Sequence, residues 1–257
     1  MKPAAVVRPP AVGGWFLPGE CTQSLRGRIF CFHCAGGSAG QFGRWRTLVS
    51  SRIDLRAVQL PGRESRIHEE PARELLLLVE QMGPALAPYM RVPFVIFGHS
   101  LGALIAFELT RWLRRSELPL PHHLFVAARA APHLPQEVFA LDTLGAPELL
   151  RVLSSYGGVE GAVLRDEGLM SSFLPTIRAD FHMARSYVYE YEDPLSCPIT
   201  AFCGRSDPLC SPLEVEAWCE QTQREFRLLP FDGNHFFIRA QAAAVARHLS
   251  DALEPVL

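Results

Sequence analysis

The sequence predicts an α/β fold with a mostly parallel central sheet and helices on both faces. Short apolar runs rich in β-branched and aromatic residues recur along the chain, and stretches with helical spacing separate them. The runs are apolar throughout rather than alternating, which is typical of strands buried on both faces. With 257 residues, of which 48% are hydrophobic, the chain is long enough for one large domain with a substantial core.

In the first half of the chain the alternation is regular. The predicted elements are a strand at 28–34, a helix at 41–51, a strand at 55–62, a helix at 72–87, a strand at 93–100 and a helix at 101–115. Gly36-Gly37 and Pro61-Gly62 supply turn signals after the first two strands. Each strand is therefore followed by a crossover helix, as a parallel sheet requires.

The second half contains an interruption. A strand at 123–130 is followed, more than sixty residues later, by a strand at 198–207, a helix near 212–222, a strand at 224–231 and a last helix at 236–252. Ordinary connections in such folds have about 2–6 residues. The long segment has helical patterns at 147–157 and within 166–190, so we predict an inserted helical lid at about 134–192. A plain extra subdomain without a role in the chemistry is the alternative.

Composition narrows the class of protein. The net charge of −2 gives no reason to expect binding to nucleic acid or to an anionic membrane, and no apolar run approaches the ~20 residues of a membrane span. Residues 1–24, with three prolines in the first ten, predict a flexible arm without a signal peptide, ahead of a single domain at 25–257. Seven cysteines argue against a disulfide framework, so we expect a cytoplasmic protein.

The segment VIFGHSLGALIAF (95–107) contains the pattern G-x-S-x-G at Gly98, Ser100 and Gly102. Alone the pattern is weak, because a Gly-Ser turn that opens a helix gives the same letters. Here an apolar strand leads in and an apolar helix leads out, as in the nucleophile elbow of an α/β hydrolase. Ser100 would then lie at the carboxyl edge of the sheet, beside a helix N-terminus that favours a developing anion.

A serine nucleophile needs a base, and His235 is the best candidate. It lies in FDGNHFF, on a loop that follows the last predicted strand at the same sheet edge. His99 is adjacent to Ser100, but neighbouring side chains diverge at an elbow. His182 lies in the insertion. In α/β hydrolases the chain order is serine, acid, histidine, which fits His235.

For the acid we favour Asp207, in GRSDP at the end of a strand on the same edge. Pro208 biases it towards an extended conformation. An acid there would hold the imidazole in the required tautomer and stabilise the imidazolium. Asp232 stays open as a rival, with a turn-forming role as its alternative, and Asp180 and Asp193 are weaker rivals in the insertion.

The stretch CFHCAGGSAG (31–40) offers both a C-x-x-C pair and a Gly-Gly turn. Cys31 and Cys34 would point in opposite directions from a strand, and no second C-x-x-C exists, so we predict no metal or redox site. The turn is the better candidate for chemistry. An oxyanion hole takes one backbone N–H from the residue after the nucleophile, here Leu101, and one from this loop, for which we choose Ala35.

With these pieces placed, the chain resembles the type II thioesterases, the stand-alone editing enzymes of modular polyketide and nonribosomal peptide synthases. The matching blocks are FCFHCAGGSAGQFGRW (30–45), LPGRESR (60–66), FGHSLGALIAFEL (97–109), LPTIRADFHMARSY (174–187), CGRSDP (203–208) and GNHFF (233–237). They cover about residues 28–250. The chain departs at His33-Cys34, where the family has Pro-His, and at Asn234, where it often has glycine.

The resemblance implies Ser100, Asp207 and His235 as a catalytic triad and the amides of Ala35 and Leu101 as the oxyanion hole. It implies hydrolysis of acyl groups from the phosphopantetheine arm of acyl or peptidyl carrier protein domains, which removes stalled or wrong chains. It also implies a mobile lid over an acyl channel. The substrate carries the phosphopantetheine, so no cofactor is expected, and we take a monomer as the expected state.

Four further residues are candidate substrate contacts. Arg63 and Arg66 follow a strand end and could meet a phosphate of the carrier arm or an acidic carrier surface. The alternative is internal pairing with the glutamates of 64–70. Met170 and Phe173, in the insertion, could line an acyl channel, although packing within the lid explains them equally well.

Two other functions compete with the thioesterase prediction. One is a serine esterase or acyltransferase of the same fold that acts on free small esters or acyl-CoA. The absence of a signal peptide and the LPGRESR block count against a secreted lipase. The other is a non-enzymatic ligand receptor or carrier-docking module. Such proteins often lose a triad member, whereas all three candidates are present here.

Overall fold

The computed structural model describes residues 14–16, 25–135, 140–157 and 167–256. Its centre is a sheet of six strands: β1 (Gly27–Phe32), β2 (Ile53–Ala57), β3 (Phe94–His99), β4 (His123–Ala127), β5 (Ile199–Gly204) and β6 (Phe226–Phe231). Their order is β2-β1-β3-β4-β5-β6, and every neighbouring pair is parallel. The carboxyl ends of all six therefore meet at one edge, and the predicted parallel α/β sheet is confirmed.

The α-helices follow the predicted order. They are α1 (Leu75–Leu86), α2 (Leu101–Arg115), α3 (Ala146–Ser155), α4 (Glu167–Ser186), α5 (Pro212–Glu216), α6 (Phe237–Ala240) and α7 (Ala242–Asp251). The predicted helix at 41–51 is a 3-10 helix at Ala39–Thr47, and the predicted last helix is divided at Gln241. In the described ranges, none of the helices has both the length and the apolar character to cross a membrane.

Helices cover both faces of the sheet, as the continuous apolar strands predict. Phe30 and Ile96 belong to a core cluster that also contains residues of α1 and α2. Ile29 and Val95 belong to a second cluster, on the opposite face, with residues of α7 and of the 3-10 helix at Ala39–Thr47. All four side chains are fully buried. Successive strand residues point to opposite faces, so each face of the sheet receives half of every strand.

Helices α3 and α4 occupy the insertion predicted between β4 and β5. They share a small apolar cluster of Leu141, Leu149, Leu153 and Ile177. Arg178 ties α4 to the chain before α3 by donating to the carbonyl oxygens of residues 142 and 144 at 2.6 and 2.5 Å. Residues 136–139 and 158–166 of the predicted lid lie outside the described residues.

The predicted flexible arm needs a correction at Trp15 and Phe16. The indole of Trp15 is only 1% exposed and lies beneath the guanidinium of Arg66, and Phe16 forms a β-bridge with Val58. The carbonyl of Trp15 also accepts a hydrogen bond from the Gln59 N–H at 2.8 Å. Burying two large aromatic side chains offsets the entropy of ordering the segment. Residues 1–13 and 17–24 lie outside the described residues.

The contact between α1 and α2 leaves no space at Gly83. A Cβ there would lie 2.6 Å from the ring of Trp112, which is itself buried and donates to Glu80. Alanine would gain about 1 kcal/mol of helix propensity, but overpacking a rigid ring costs about 1–3 kcal/mol. The overpacking should therefore exceed the gain.

We expect Gly83→Ala to lower the free energy of unfolding by about 1 kcal/mol in urea denaturation. Gly43→Ala is the matched control, since no atom lies within 4 Å of the Cβ that it would add. We expect that control to leave the midpoint unchanged or to raise it, because alanine is the better helix former and meets no clash. A Gly83→Ala protein more stable than the parent would contradict this packing argument.

Candidate active site

The chain makes a sharp turn at Ser100, between the end of β3 and the start of α2 at Leu101. Ser100 has φ 57° and ψ −114°, a region that costs a non-glycine residue about 1–3 kcal/mol. The flanking glycines make the turn feasible. A Cβ at Gly98 would lie 2.1 Å from the carbonyl oxygen of Gly102, and one at Gly102 would lie 2.3 Å from that of Phe32. The segment therefore has the local geometry of a nucleophile elbow.

His235 and Asp207 lie together at the same sheet edge. The Nδ1 of His235, on the loop after β6, is 2.8 Å from Oδ2 of Asp207, on the loop after β5. Asp232 is instead 90% exposed and paired with Arg205. Asp180 is bonded to Arg63, and Asp193 is exposed. Of the four candidate acids, the structure brings only Asp207 to His235.

The surroundings of Asp207 favour its ionised form. Burial alone would raise its pKa, but the hydrogen bond and charge of His235 lower the pKa below its usual value, with help from the Leu209 N–H and the Cys210 thiol. A carboxylate can only accept, so His235 donates from Nδ1. Its Nε2 then carries the lone pair that a general base requires.

His99 does not act on Ser100 from its neighbouring position. Its Nε2 lies 2.8 Å from the carbonyl oxygen of His235, so this nitrogen donates and holds the histidine loop in place. Burial, followed by the nearby charge of His235, lowers the pKa of His99 to about 3. His99 is therefore neutral at physiological pH, and the bond from its Nε2 shows that the ring is turned towards the histidine loop.

Two backbone N–H groups near Ser100 have no acceptor in the described part of the chain, namely those of Ala35 and Leu101. The preceding carbonyl, of Cys34, accepts from the Gly37 N–H at 3.0 Å and from Nδ1 of His33 at 2.8 Å. In a trans peptide the N–H points opposite to the carbonyl, so these bonds turn the Ala35 N–H away from the loop. Both free N–H groups belong to residues that line one small cavity with Ser100 and His235.

A larger cavity of about 620 Å³ adjoins these groups. Ser100, His235 and the loop at 34–38 form its floor. Its apolar wall consists of Leu153, Tyr156, Phe173, Ile177, Phe181 and Leu209, most of them from α3 and α4. The insertion therefore covers the site, and Phe173 lies where a substrate contact was predicted. The side chain of Met170 lies outside the described residues.

The predicted roles of Arg63 and Arg66 need a correction. Arg63 borders the cavity, but its side chain is 3% exposed and makes a bidentate ion pair with Asp180. Arg66 is 5% exposed and pairs with Glu69, one of the internal partners considered above. Neither guanidinium is available to a carrier. The pairing of Arg63 was missed because its partner lies 117 residues away in the sequence.

The two cysteines of CFHCAGGSAG lie in different surroundings, but not through strand alternation, because the strand predicted at 28–34 ends at Phe32. Cys31 is buried in the core, whereas Cys34 follows β1 and borders the cavity. Burial raises the pKa of both thiols, that of Cys34 to about 11. Thiolates bind metals and react with oxidants, so neither residue is suited to such a role.

Among the described residues, one group of three could approach a metal: Asp207, Cys210 and His235. Burial, reinforced by the charge of Asp207, raises the pKa of Cys210, whose thiol donates to that carboxylate at 3.3 Å. A protonated thiol that already serves as a donor does not fit a metal ligand. The same carboxylate is also engaged with His235.

An elbow serine, a histidine–aspartate pair and free amides at one edge of a parallel sheet define an α/β hydrolase. Residues 27–253 match the model of the Thioesterase domain family, and the chain belongs to this family. It is therefore a thioester hydrolase, and the resemblance to type II thioesterases seen in the sequence blocks is confirmed.

Individual relatives agree with this assignment. The gramicidin S biosynthesis protein GrsT of Aneurinibacillus migulanus is 39% identical, over 88% of this chain and 89% of GrsT. The thioesterase PikA5 of Streptomyces venezuelae is 33% identical, over 88% and 80% of the two chains. The solved structure of the type II thioesterase BorB, from the borrelidin biosynthetic cluster, has a TM-score of 0.87 and 33% identity, covering 95% and 98%. The predicted α/β-hydrolase fold is thereby confirmed.

Thiol accessibility gives a direct test of the cysteine argument. We expect brief alkylation of the native protein with iodoacetamide at pH 8 to label the exposed Cys219 and to spare Cys31, Cys34 and Cys203. Peptide mass spectrometry would locate the label, and the protein in urea serves as the control in which all sites react. Rapid labelling of Cys34 would contradict the conclusion that its thiol is protonated.

Proposed function

We propose that this chain is a serine thioesterase that hydrolyses acyl groups from the phosphopantetheine arm of carrier proteins. It would release stalled or aberrant chains from a polyketide or nonribosomal peptide synthase. The observation that carries the proposal is the convergence of an elbow serine, a histidine–aspartate pair and two free amides on one covered apolar cavity. Relatives named for gramicidin S and borrelidin biosynthesis support the same setting.

In the proposed first half-reaction, the hydroxyl of Ser100 attacks the thioester carbonyl carbon while Nε2 of His235 accepts its proton. Asp207 stabilises the imidazolium. The N–H groups of Ala35 and Leu101 donate to the tetrahedral oxyanion, and each such donor is typically worth ~10²–10³ in rate. The intermediate collapses by breaking the carbon–sulfur bond, and the imidazolium returns its proton to the departing sulfur.

The second half-reaction repeats these steps with water. His235 removes a proton from water as its oxygen attacks the acyl-serine ester, and the same two amides stabilise the oxyanion. Breaking the ester bond returns the proton to Ser100 and releases a free acid. These steps need no resident cofactor, because the phosphopantetheine arrives with the substrate.

The apolar wall of the cavity supports an acyl chain as the bound group. Phe173, Tyr156 and Phe181 would contact it, and we retain Met170 as a candidate from the same helix. Burial of an alkyl chain against such a wall gains about 0.8 kcal/mol per methylene. We further propose a carrier protein domain as the partner, a monomer as the working state and the cytoplasm as the compartment.

The alternative is an esterase or acyltransferase of the same fold that acts on free small esters or acyl-CoA. The same site could attack such substrates, so the geometry alone gives no preference. The relatives favour the carrier-bound thioester. A comparison of rates on an acyl-carrier thioester, an acyl-CoA and a p-nitrophenyl ester separates these functions.

We expect Ser100→Ala to abolish turnover of acyl-phosphopantetheinyl carrier protein, with kcat lower by ~10⁴ or more, because the nucleophile is lost. The measurement is release of the free carrier thiol, followed by mass spectrometry of the carrier. The exposed Ser196 provides a control, since Ser196→Ala should retain full activity. If Ser100→Ala keeps the parent rate, the assignment fails.

Replacing the acid tests the second part of the site. We expect Asp207→Asn to lower kcat by ~10⁴, because an amide can stabilise the wrong tautomer of His235. Asp232→Asn is the matched control: that carboxylate is 90% exposed and should be dispensable. Equal losses in the two variants, measured as single-turnover hydrolysis, would show that Asp207 is not the acid partner.

A further inference from the structure

A fully buried ion pair connects α4 to the loop that carries Ala35. The carboxylate of Asp180 is 0% exposed, and its Oδ2 accepts from the Gly36 N–H and from Nη1 of Arg63, both at 2.7 Å. Its Oδ1 accepts from Nη2 of Arg63 at 2.8 Å. Nη1 of Arg63 also donates to the carbonyl of Gly37 at 3.0 Å. We call Arg63 and Asp180 with these contacts the Arg63–Asp180 clamp.

The clamp controls the direction of the peptide that presents the Ala35 N–H. The carbonyl of that peptide belongs to Cys34 and accepts from the N–H of Gly37. The clamp holds Gly37 through its carbonyl and Gly36 through its N–H. A rotation of the Cys34–Ala35 peptide would break the bond from the Gly37 N–H. The Gly36–Gly37 peptide, which supplies that N–H, lies between the two groups that the clamp bonds, so the clamp restrains it from both sides.

The loop also packs closely against α4 at Gly36. Gly36 has φ 68°, and a Cβ on it would lie 3.1 Å from the side chain of Ile177, one turn before Asp180. Thr176 donates from its hydroxyl to the carbonyl of Gly62, immediately before Arg63, at 2.7 Å. The second half of α4 is thus fastened both to the loop at 36–37 and to the segment that supplies the arginine.

A contribution to stability does not by itself explain why a buried ion pair is present at Arg63 and Asp180. Removing two charges from water is costly, and well-packed apolar residues at such positions are often as stable or more stable. What an apolar pair could not do is bond to the backbone of the loop on both sides. A bidentate guanidinium–carboxylate pair has the fixed geometry that such alignment requires.

We propose that Arg63 and Asp180 are positioning residues that aim the Ala35 N–H at the oxyanion. The inference rests on the proposed function, since it assumes that this amide stabilises a tetrahedral intermediate. It also implies that the part of α4 from Thr176 to Asp180 does not move with the predicted lid. This part of the helix stays fixed to the hydrolase domain.

The main test is Asp180→Asn, which keeps the shape of the side chain but removes one acceptor. We expect kcat on a short acyl-N-acetylcysteamine thioester to fall by ~10–10², with KM changed less than about threefold. The affinity for a trifluoromethyl ketone, whose hemiketal oxyanion occupies the same hole, should fall by the same factor as kcat/KM. A purely structural role would lower the melting temperature without this parallel loss.

Asp142→Asn is the matched control. The side chain of Asp142 is 8% exposed and is bonded to α4 through His182 and Arg185, but it does not touch the oxyanion loop. We expect it to lower the melting temperature while kcat per active site, titrated with a fluorophosphonate, stays at the parent value. Equal kinetic losses in the two variants would overturn the proposal.

A second variant separates folding from positioning. Arg63→Met combined with Asp180→Leu removes both buried charges, so it should fold even where Asp180→Asn does not. We expect its stability to recover while kcat and affinity for the ketone stay low. Recovery of both kinetic quantities with stability would overturn the proposal.

The positioning test is independent of the carrier substrate, because the small thioester and the ketone need no carrier. If the parent enzyme hydrolyses the small thioester but no carrier-bound thioester, the proposed function is refuted, and the positioning of the Ala35 N–H is still tested.

Discussion

The close crossing of β3 and α2 is the constraint on which the site depends. The chain must reverse at one residue, and the carbonyls of Gly102 and Phe32 leave no room for a side chain at Gly98 or Gly102. That approach places Ser100 at φ 57° and Leu101 at the first position of a helix, where its N–H has no intrahelical acceptor. The nucleophile and one oxyanion donor thus result from a single packing requirement, and the core around α2 offsets the strain.

The parallel arrangement of the strands is enough to bring the other residues of the site together. Strands β1, β3, β5 and β6 all end at one edge, so the loops that follow them carry Ala35, Ser100, Asp207 and His235 to a common place. Each loop then needs only local contacts to orient its residue. The carbonyl of His235 is held by His99, next to the nucleophile, so the position of the base is tied to the elbow itself.

The features of the site that can be predicted from the sequence are those defined by residues close together in the chain. The elbow, the acid before Pro208 and the histidine loop each lie within a few residues of a strand end, and the strand order brings them together. The Arg63–Asp180 clamp joins positions 117 residues apart, and the sequence around either residue does not identify its partner. Their only sequence signal is that both lie in blocks shared with the type II thioesterases, LPGRESR and LPTIRADF. Trp15 was missed for a related reason: a proline-rich segment carries no periodicity, and its burial depends on Arg66.

A hydrogen bond of His33 gives a physical account of the departure at His33-Cys34. A proline at position 33 would restrict the backbone through its ring. Here the imidazole of His33 donates from Nδ1 to the carbonyl of Cys34, the peptide whose N–H belongs to Ala35. Burial, and then the charge of Arg63, lowers the pKa of His33 to about 4, so the ring is neutral at physiological pH and keeps this tautomer while the carbonyl accepts. A side-chain hydrogen bond thus restrains the oxyanion loop just before Ala35, and the clamp restrains the same loop at Gly36 and Gly37.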